Sequence, residues 1–186
     1  AEEIVQLNNL AKKIRDERFG KGAISFETTE VRFRLDEDGT PVEVIPKVRV
    51  DAHKLIEEFM LLANKKVAEF VYHYQNKKEK NTFVYRVHDY PNVEKVADFA
   101  QFAQRFGYKL HTTDDKISNS INELMLAVEG KPEQDILQSI AIRTMAKAIY
   151  TTEAKGHFGL AFKHYSHFTS PIRRYPDVMT HRLLAH

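Results

Sequence analysis

The 186-residue chain has no cysteine. That excludes disulfides, cysteine-ligated zinc and thiol nucleophiles together, and it suits a cytoplasmic setting. No run of about 18 apolar residues occurs, so a membrane-spanning helix is not expected. No basic, apolar, small-residue leader is visible at the start. An excess of one charge is missing too: 28 Lys and Arg face 26 Asp and Glu, a formal net charge of +2. Any nucleic-acid surface must therefore come from clustering of charge. The signatures HExxH, GxxxxGK, GxSxG and GxGxxG are all absent.

What is present is globular. Hydrophobic residues make up 42% and charged residues 29%, a balance that builds a core and does not favour disorder. The length suits one domain. Ala1 to Arg18 and His181 to His186 both read as helix in progress. The chain is therefore expected to be a piece of a longer protein.

Apolar spacing predicts a helix over 1–18, broken by Phe19-Gly20-Lys21-Gly22. Alternation of Val31, Phe33 and Leu35, the turn Asp36-Glu37-Asp38-Gly39, and Val42, Val44 and Val48 predict a β-hairpin. Asp51 to Tyr74 reads as a long amphipathic helix with Asp51 as its N-cap. On that helix His53, Glu57 and Asn64 share a polar stripe, whereas Glu58 falls toward Lys54 and Lys65 on the expected solvated side. A polar link over 75–81, a short strand over 83–88 and three further helices follow. The helices carry Val93 to Ala103, Ile117 to Met125 and Ile136 to Ala141. Gly156 to Phe162 looks strand-like. Ser170-Pro171 is expected to open a last helix, with Ser170 as cap and Pro176-Asp177 as a kink or restart. The fold class is α+β, with helices packed on a small mixed or antiparallel sheet.

The strongest local chemistry lies in Tyr165 to Asp177, where hydroxyls, aromatics and Arg173-Arg174 surround an expected helix start. Such a site holds a phosphate through first-turn amides and guanidinium forks. The plainer alternative is a capped helix with an Arg173–Asp177 pair at i, i+4. Elsewhere, Asp114-Asp115 reads as helix capping and Asp36 and Asp38 as turn chemistry. His164 and His167 lack the partners of a metal site. Glu57 suits either a ribose hydroxyl or a structural bridge, and Phe26, with Ile24, either base stacking or plain core.

Four stretches, in this order, resemble the catalytic domain of the ribonuclease II/ribonuclease R family of exoribonucleases. They are Gly22-Ala23-Ile24-Ser25-Phe26-Glu27; Asp51 to Glu58 with Ala63-Asn64; Tyr85-Arg86-Val87-His88-Asp89; and Gly156-His157-Phe158-Gly159-Leu160-Ala161 leading into Ser170 to Asp177. The resemblance implies a processive, magnesium-dependent, 3′-to-5′ hydrolysis of single-stranded RNA to 5′ mononucleotides, with no DNA substrate. It implies that Arg173 contacts the scissile phosphate, Phe26 stacks on terminal bases and Glu57 contacts RNA near the reacting end. Arg86, His167, Ser170, Arg174 and Tyr175 match further RNA-facing positions. The family's clustered aspartates have no counterpart here, so residues 1–186 read as the C-terminal part of the catalytic domain. The magnesium ligands are expected upstream of residue 1, the cold-shock-like and S1 domains lie outside, and the piece alone is expected to be inactive. The alternative is a non-catalytic RNA-binding domain of the same fold.

Overall fold

A computed structural model describes residues 2–26, 31–46, 49–75, 82–113 and 116–185. Helix α1 (Glu2–Gly20) runs to the first glycine, two residues past its expected end. Strands β1 (Val31–Leu35) and β2 (Pro41–Pro46) form the expected antiparallel ribbon, in which Phe33 lies opposite Val44. Asp36 Oδ1 accepts from the amides of Asp38 and Thr40, which closes the turn. Alternation along β1 predicts one buried face, yet every residue of both strands is exposed. Val48 and the Asp114-Asp115 pair lie outside the described residues, as does the 76–81 link.

Helix α2 (Asp51–Gln75) packs on α1 through charge. Glu58 is only 1% exposed, against the expectation that it faces solvent. It accepts from both Nε and Nη2 of Arg18, and Arg15 adds a contact at 3.4 Å. The face that looked solvated is the one α1 covers, and its arginines compensate the buried carboxylate. Asp51 does not cap the helix either. Its carboxylate reaches across to Lys12 at 2.8 Å. The cap is made from inside the first turn, where His53 Nδ1 accepts from the Val50 amide at 3.2 Å.

Strand β3 (Tyr85–Val87) leads into helices α3 (Val93–Gln104), α4 (Ile117–Val128) and α5 (Gln134–Thr144), all three as expected from their spacing. Asn92 caps α3 by accepting from the amides of Glu94 and Lys95. These helices enclose the larger core: Val96, Phe99, Ala103, Ile117, Ile121, Leu124, Val128, Leu137 and Ala141. Strand β4 (Ile149–Thr151), not foreseen from the sequence, pairs antiparallel with β3 and sets Arg86 opposite Tyr150. The sheet is thus two separate antiparallel ribbons among the described residues. Helix α6 (Tyr175–Leu184) closes the chain, and Leu183 and Leu184 pack on a second core of Ala68, Val71, Phe83, Tyr85 and Val87.

The accessible surface is 12,778 Å². Among the described residues much apolar surface is uncovered, Val93, Leu126 and Ile172 included.

Candidate nucleic-acid interface

Residues 156–162 carry the first part of the site. Instead of a strand they form a single 3₁₀ turn (Phe158–Leu160) between isolated bridges at His157 and Phe162. The glycines explain why. Gly156 has φ +89°, and a Cβ there would lie 3.1 Å from the Phe162 carbonyl oxygen. Gly159 lies against the His88 ring and donates its N–H to His88 Nδ1 at 3.0 Å. His88 Nε2 donates to the Ala146 carbonyl at 2.8 Å, so both ring nitrogens are engaged in the neutral form. Burial pushes the His88 pKa down in agreement with that.

The next segment, 165–170, is held extended by polar side chains from other elements. The Arg86 amide donates to the Tyr165 carbonyl at 2.9 Å, and Ser166 Oγ donates to the Val84 carbonyl. Asn64 of α2 is 2% exposed. Its Oδ1 accepts from the amides of Phe168 (2.9 Å) and Thr169 (3.2 Å), and its Nδ2 reaches Tyr165 Oη at 3.1 Å. One amide side chain thereby satisfies backbone donors that burial would otherwise leave costly.

Ser170 does not cap a helix. Its carbonyl accepts from the amides of Arg173 and Arg174, which makes 170–174 a tight turn, and α6 begins only at Tyr175 with Pro176 in its first turn. Asp177, fully buried in that turn, accepts from the Ser170 amide and from Arg174 Nη2, each at 2.8 Å. The expected Arg173–Asp177 pair is therefore replaced by Arg174–Asp177 at i, i+3. It also means that a carboxylate, not a phosphate, meets the positive end of α6. Arg173 is left exposed on the turn, and among the described residues its guanidinium has no ion pair or hydrogen bond. Asp177 Oδ2, Arg174 Nε and Thr169 Oγ1 are buried without partners.

A second group stands beside this turn. The Arg86 guanidinium lies 4.6 Å from the centre of the Tyr150 ring, and Tyr150 Oη is 2.7 Å from His167 Nδ1. Tyr165 packs edge-on to both His167 and His157. Burial, with the nearby charges of Arg174, Arg86 and Arg173, lowers the His167 pKa to about 4, although Asp177 opposes the shift. Burial, His88 and Arg86 lower that of His157 to about 3. Both imidazoles are neutral at pH 7, and the fixed positive charge comes from guanidiniums.

The structure thus brings together Arg86, His167, Ser170, Arg173 and Arg174, and leaves Tyr175 exposed at the start of α6. Glu57 is placed differently: its carboxylate accepts from Arg49 Nη2 at 3.2 Å. Phe26 and Ile24 are half-buried against the three-helix core. Their loop is fixed by Asn122, which accepts from the Ser25 amide and donates to the Ala23 carbonyl. Tyr150 is the residue sequence reasoning missed, because a three-residue strand is too short to show alternation. Asn64 was visible as part of a polar stripe and Asp177 as a partner for Arg173, but not as the acceptors that hold the 165–177 backbone.

Among the described residues no group of three or more His, Asp or Glu side chains is placed to hold a metal ion. The buried carboxylates Glu58 and Asp177 are both committed to guanidiniums. Their donor sets do not fit magnesium. Among the described residues, no helix is long and apolar enough to cross a membrane.

The RNB domain family matches residues 1–186. Ribonuclease R of Vibrio cholerae is 40% identical over 183 residues, which cover 98% of this chain and 21% of that protein. The chain spans about a fifth of the length of this curated relative. Ribonuclease R of Mycoplasma genitalium, solved in complex with ribose-methylated single-stranded RNA, superposes with a TM-score of 0.86 at 30% identity, over 97% of this chain and 28% of that one. Yeast Ssd1, described as a pseudonuclease, superposes with a TM-score of 0.61 at 28% identity, over 74% of this chain and 17% of that one. The shared α+β architecture and a family match along the whole length agree: this chain belongs to the RNB domain family.

Proposed function

We propose that the chain is the C-terminal part of the catalytic domain of a processive 3′-to-5′ exoribonuclease, which hydrolyses single-stranded RNA to 5′ mononucleotides. The carrying observation is Arg173, exposed and unpaired on a turn whose neighbour Arg174 is locked to buried Asp177. A permanently charged planar fork kept free of carboxylates suits a phosphate whose charge grows in the transition state. On this reading Arg173 contacts the scissile phosphate, and Arg86, Arg174, His167, Ser170 and Tyr175 line the RNA path beside it. Phe26 stacks on terminal bases, and Glu57 contacts RNA once released from Arg49. The family membership and the RNA-bound relative support this reading.

Magnesium belongs to the parent enzyme on the same reading, with ligands supplied from outside residues 1–186. When bound it would activate water and offset phosphate charge. What this chain contributes is binding and charge stabilisation, so by itself it is expected to be inactive.

The likeness to the pseudonuclease Ssd1 favours a second reading, a non-catalytic RNA binder on the same fold. A full-length parent incubated with 5′-labelled single-stranded RNA and magnesium separates the two. Stepwise shortening from the 3′ end is expected, and intact RNA overturns the first reading. In that enzyme Arg173→Ala is expected to lower turnover by about 10²-fold or more while changing RNA affinity less than tenfold. Normal turnover at saturating RNA, with poor binding, contradicts the role assigned to Arg173.

A further inference from the structure

Tyr150 stands opposite Arg86 in the β3–β4 register, so the two side chains leave the same face of the ribbon. Its ring and hydroxyl touch two different residues of the group described above. The ring stacks against the Arg86 guanidinium, and the hydroxyl meets His167 Nδ1. The side chain remains 39% exposed, beside rather than beneath the surface that the arginines present.

The direction of the hydrogen bond follows from chemistry. A phenol is a better donor than acceptor, and the sp² nitrogen of a neutral imidazole is a strong acceptor. The neutral form is enforced from all sides. Burial disfavours a further positive charge first, Arg174 and Arg173 on the 170–174 turn and Arg86 on β3 add to it, and Asp177 opposes them. His157 and Tyr165 add neutral ring edges. With Nδ1 occupied by the phenol proton, the ring proton resides on Nε2.

We propose that Tyr150 is a positioning residue: its hydroxyl fixes His167 as the Nε2–H tautomer and its ring holds the Arg86 guanidinium flat, presetting both as donors to oxygens of the RNA backbone. This rests on the reading that Arg86 and His167 contact RNA. It adds a residue from a strand that carried no motif, and it makes His167 a neutral donor through the physiological pH range. A guanidinium stacked on an aromatic face keeps its in-plane N–H groups free, so the ring costs Arg86 none of its donors.

The test uses the full-length enzyme in EDTA, so that binding is read without cleavage, with a fluorescein-labelled single-stranded RNA titrated between pH 5.5 and 8. Tyr150→Phe removes the hydroxyl and keeps the ring. It is expected to weaken binding about three- to tenfold, and to have no further effect in a His167→Ala background. Burial and the three guanidiniums keep His167 neutral without the phenol, so the loss in Tyr150→Phe is expected to be the same from pH 5.5 to 8. Tyr150→Leu is expected to weaken binding by about another two- to fivefold, and this extra loss is expected to vanish in an Arg86→Ala background. Additive effects of Tyr150→Phe and His167→Ala, or native binding by Tyr150→Phe, overturn the proposal while the RNA reading stands. Native binding by both His167→Ala and Arg86→Ala overturns the RNA reading of these residues, and this proposal with it. Tyr150→Phe changes one partly exposed atom, so the test survives if the Leu variant fails to fold.

Discussion

The three-helix core and the 165–177 segment are ordered by opposite means. On α3, α4 and α5 nine of the twelve buried residues are apolar, and the backbone satisfies itself within helices. Along 165–177 there is little regular structure, and the backbone donors go to side chains: Asn64 takes two amides, and Asp177 one amide and a guanidinium. The first arrangement tolerates any apolar residue of suitable volume. The second needs particular atoms at particular places, and in return it presents an arginine on a turn that no helix or strand would expose in the same way. The difference places the rigid scaffold in one region and the specific chemistry in the other.

Breaking each region in turn sharpens the comparison. Phe99 is among the most deeply buried side chains, so Phe99→Ala is expected to cost about 3–5 kcal/mol in urea unfolding of the chain. A loss below about 1 kcal/mol would mean that the helical core is not the stabilising centre. Asn64→Ala removes the partner of two amides and of Tyr165, and is expected to cost about 2–3 kcal/mol. Its signature differs in kind. Hydrogen exchange of residues 165–174 should accelerate selectively while α3 to α5 stay protected, and uniform acceleration would contradict an anchoring role confined to the segment.

The smallest effect is set by pH. His157 and His167 bind their proton in the folded state only near pH 3 and 4, against the ordinary 6.5. Between those limits the unfolded chain binds more protons than the folded one. Stability is therefore full above about pH 6.5 and falls as the pH drops toward 4, by about 1 kcal/mol in all once solvent screening of these partly exposed rings is allowed for. Denaturation midpoints at pH 7 and pH 5 check this, and His167→Phe is expected to flatten the profile.

The same contrast explains what was legible in the sequence. Helices α3, α4 and α5 were readable because Val96 and Ala103, Ile121 and Leu124, and Leu137 and Ala141 recur at helical spacing, although Val93, read with them, is exposed. The ends and faces decided by distant partners were not. Glu58 looked solvated because its compensating charges, Arg15 and Arg18, lie on another helix some 40 positions away. Ser170-Pro171 looked like a helix start because Ser-Pro is one in many proteins, but Asp177 captures the Ser170 amide and α6 starts at Tyr175. For the candidate site, the motif stretches supplied Arg86, His167, Ser170, Arg173 and Arg174 as a set. What joins them, a phenol from a three-residue strand, has no local pattern to betray it. Phe26 and Glu57 sit against the helical core and Arg49 respectively, so their motifs give identity without giving geometry.

The β1–β2 ribbon sets a different kind of property. Val31, Phe33, Leu35, Val42, Val44 and Ile45 are all exposed on it, and two paired strands alone are marginally stable in water. Excluded salts such as sulfate act on uncovered apolar area wherever it lies. These eleven strand residues therefore bear on the colloidal behaviour of the isolated chain, its salting-out point and the concentration at which it stays clear, although they contribute little to the two cores.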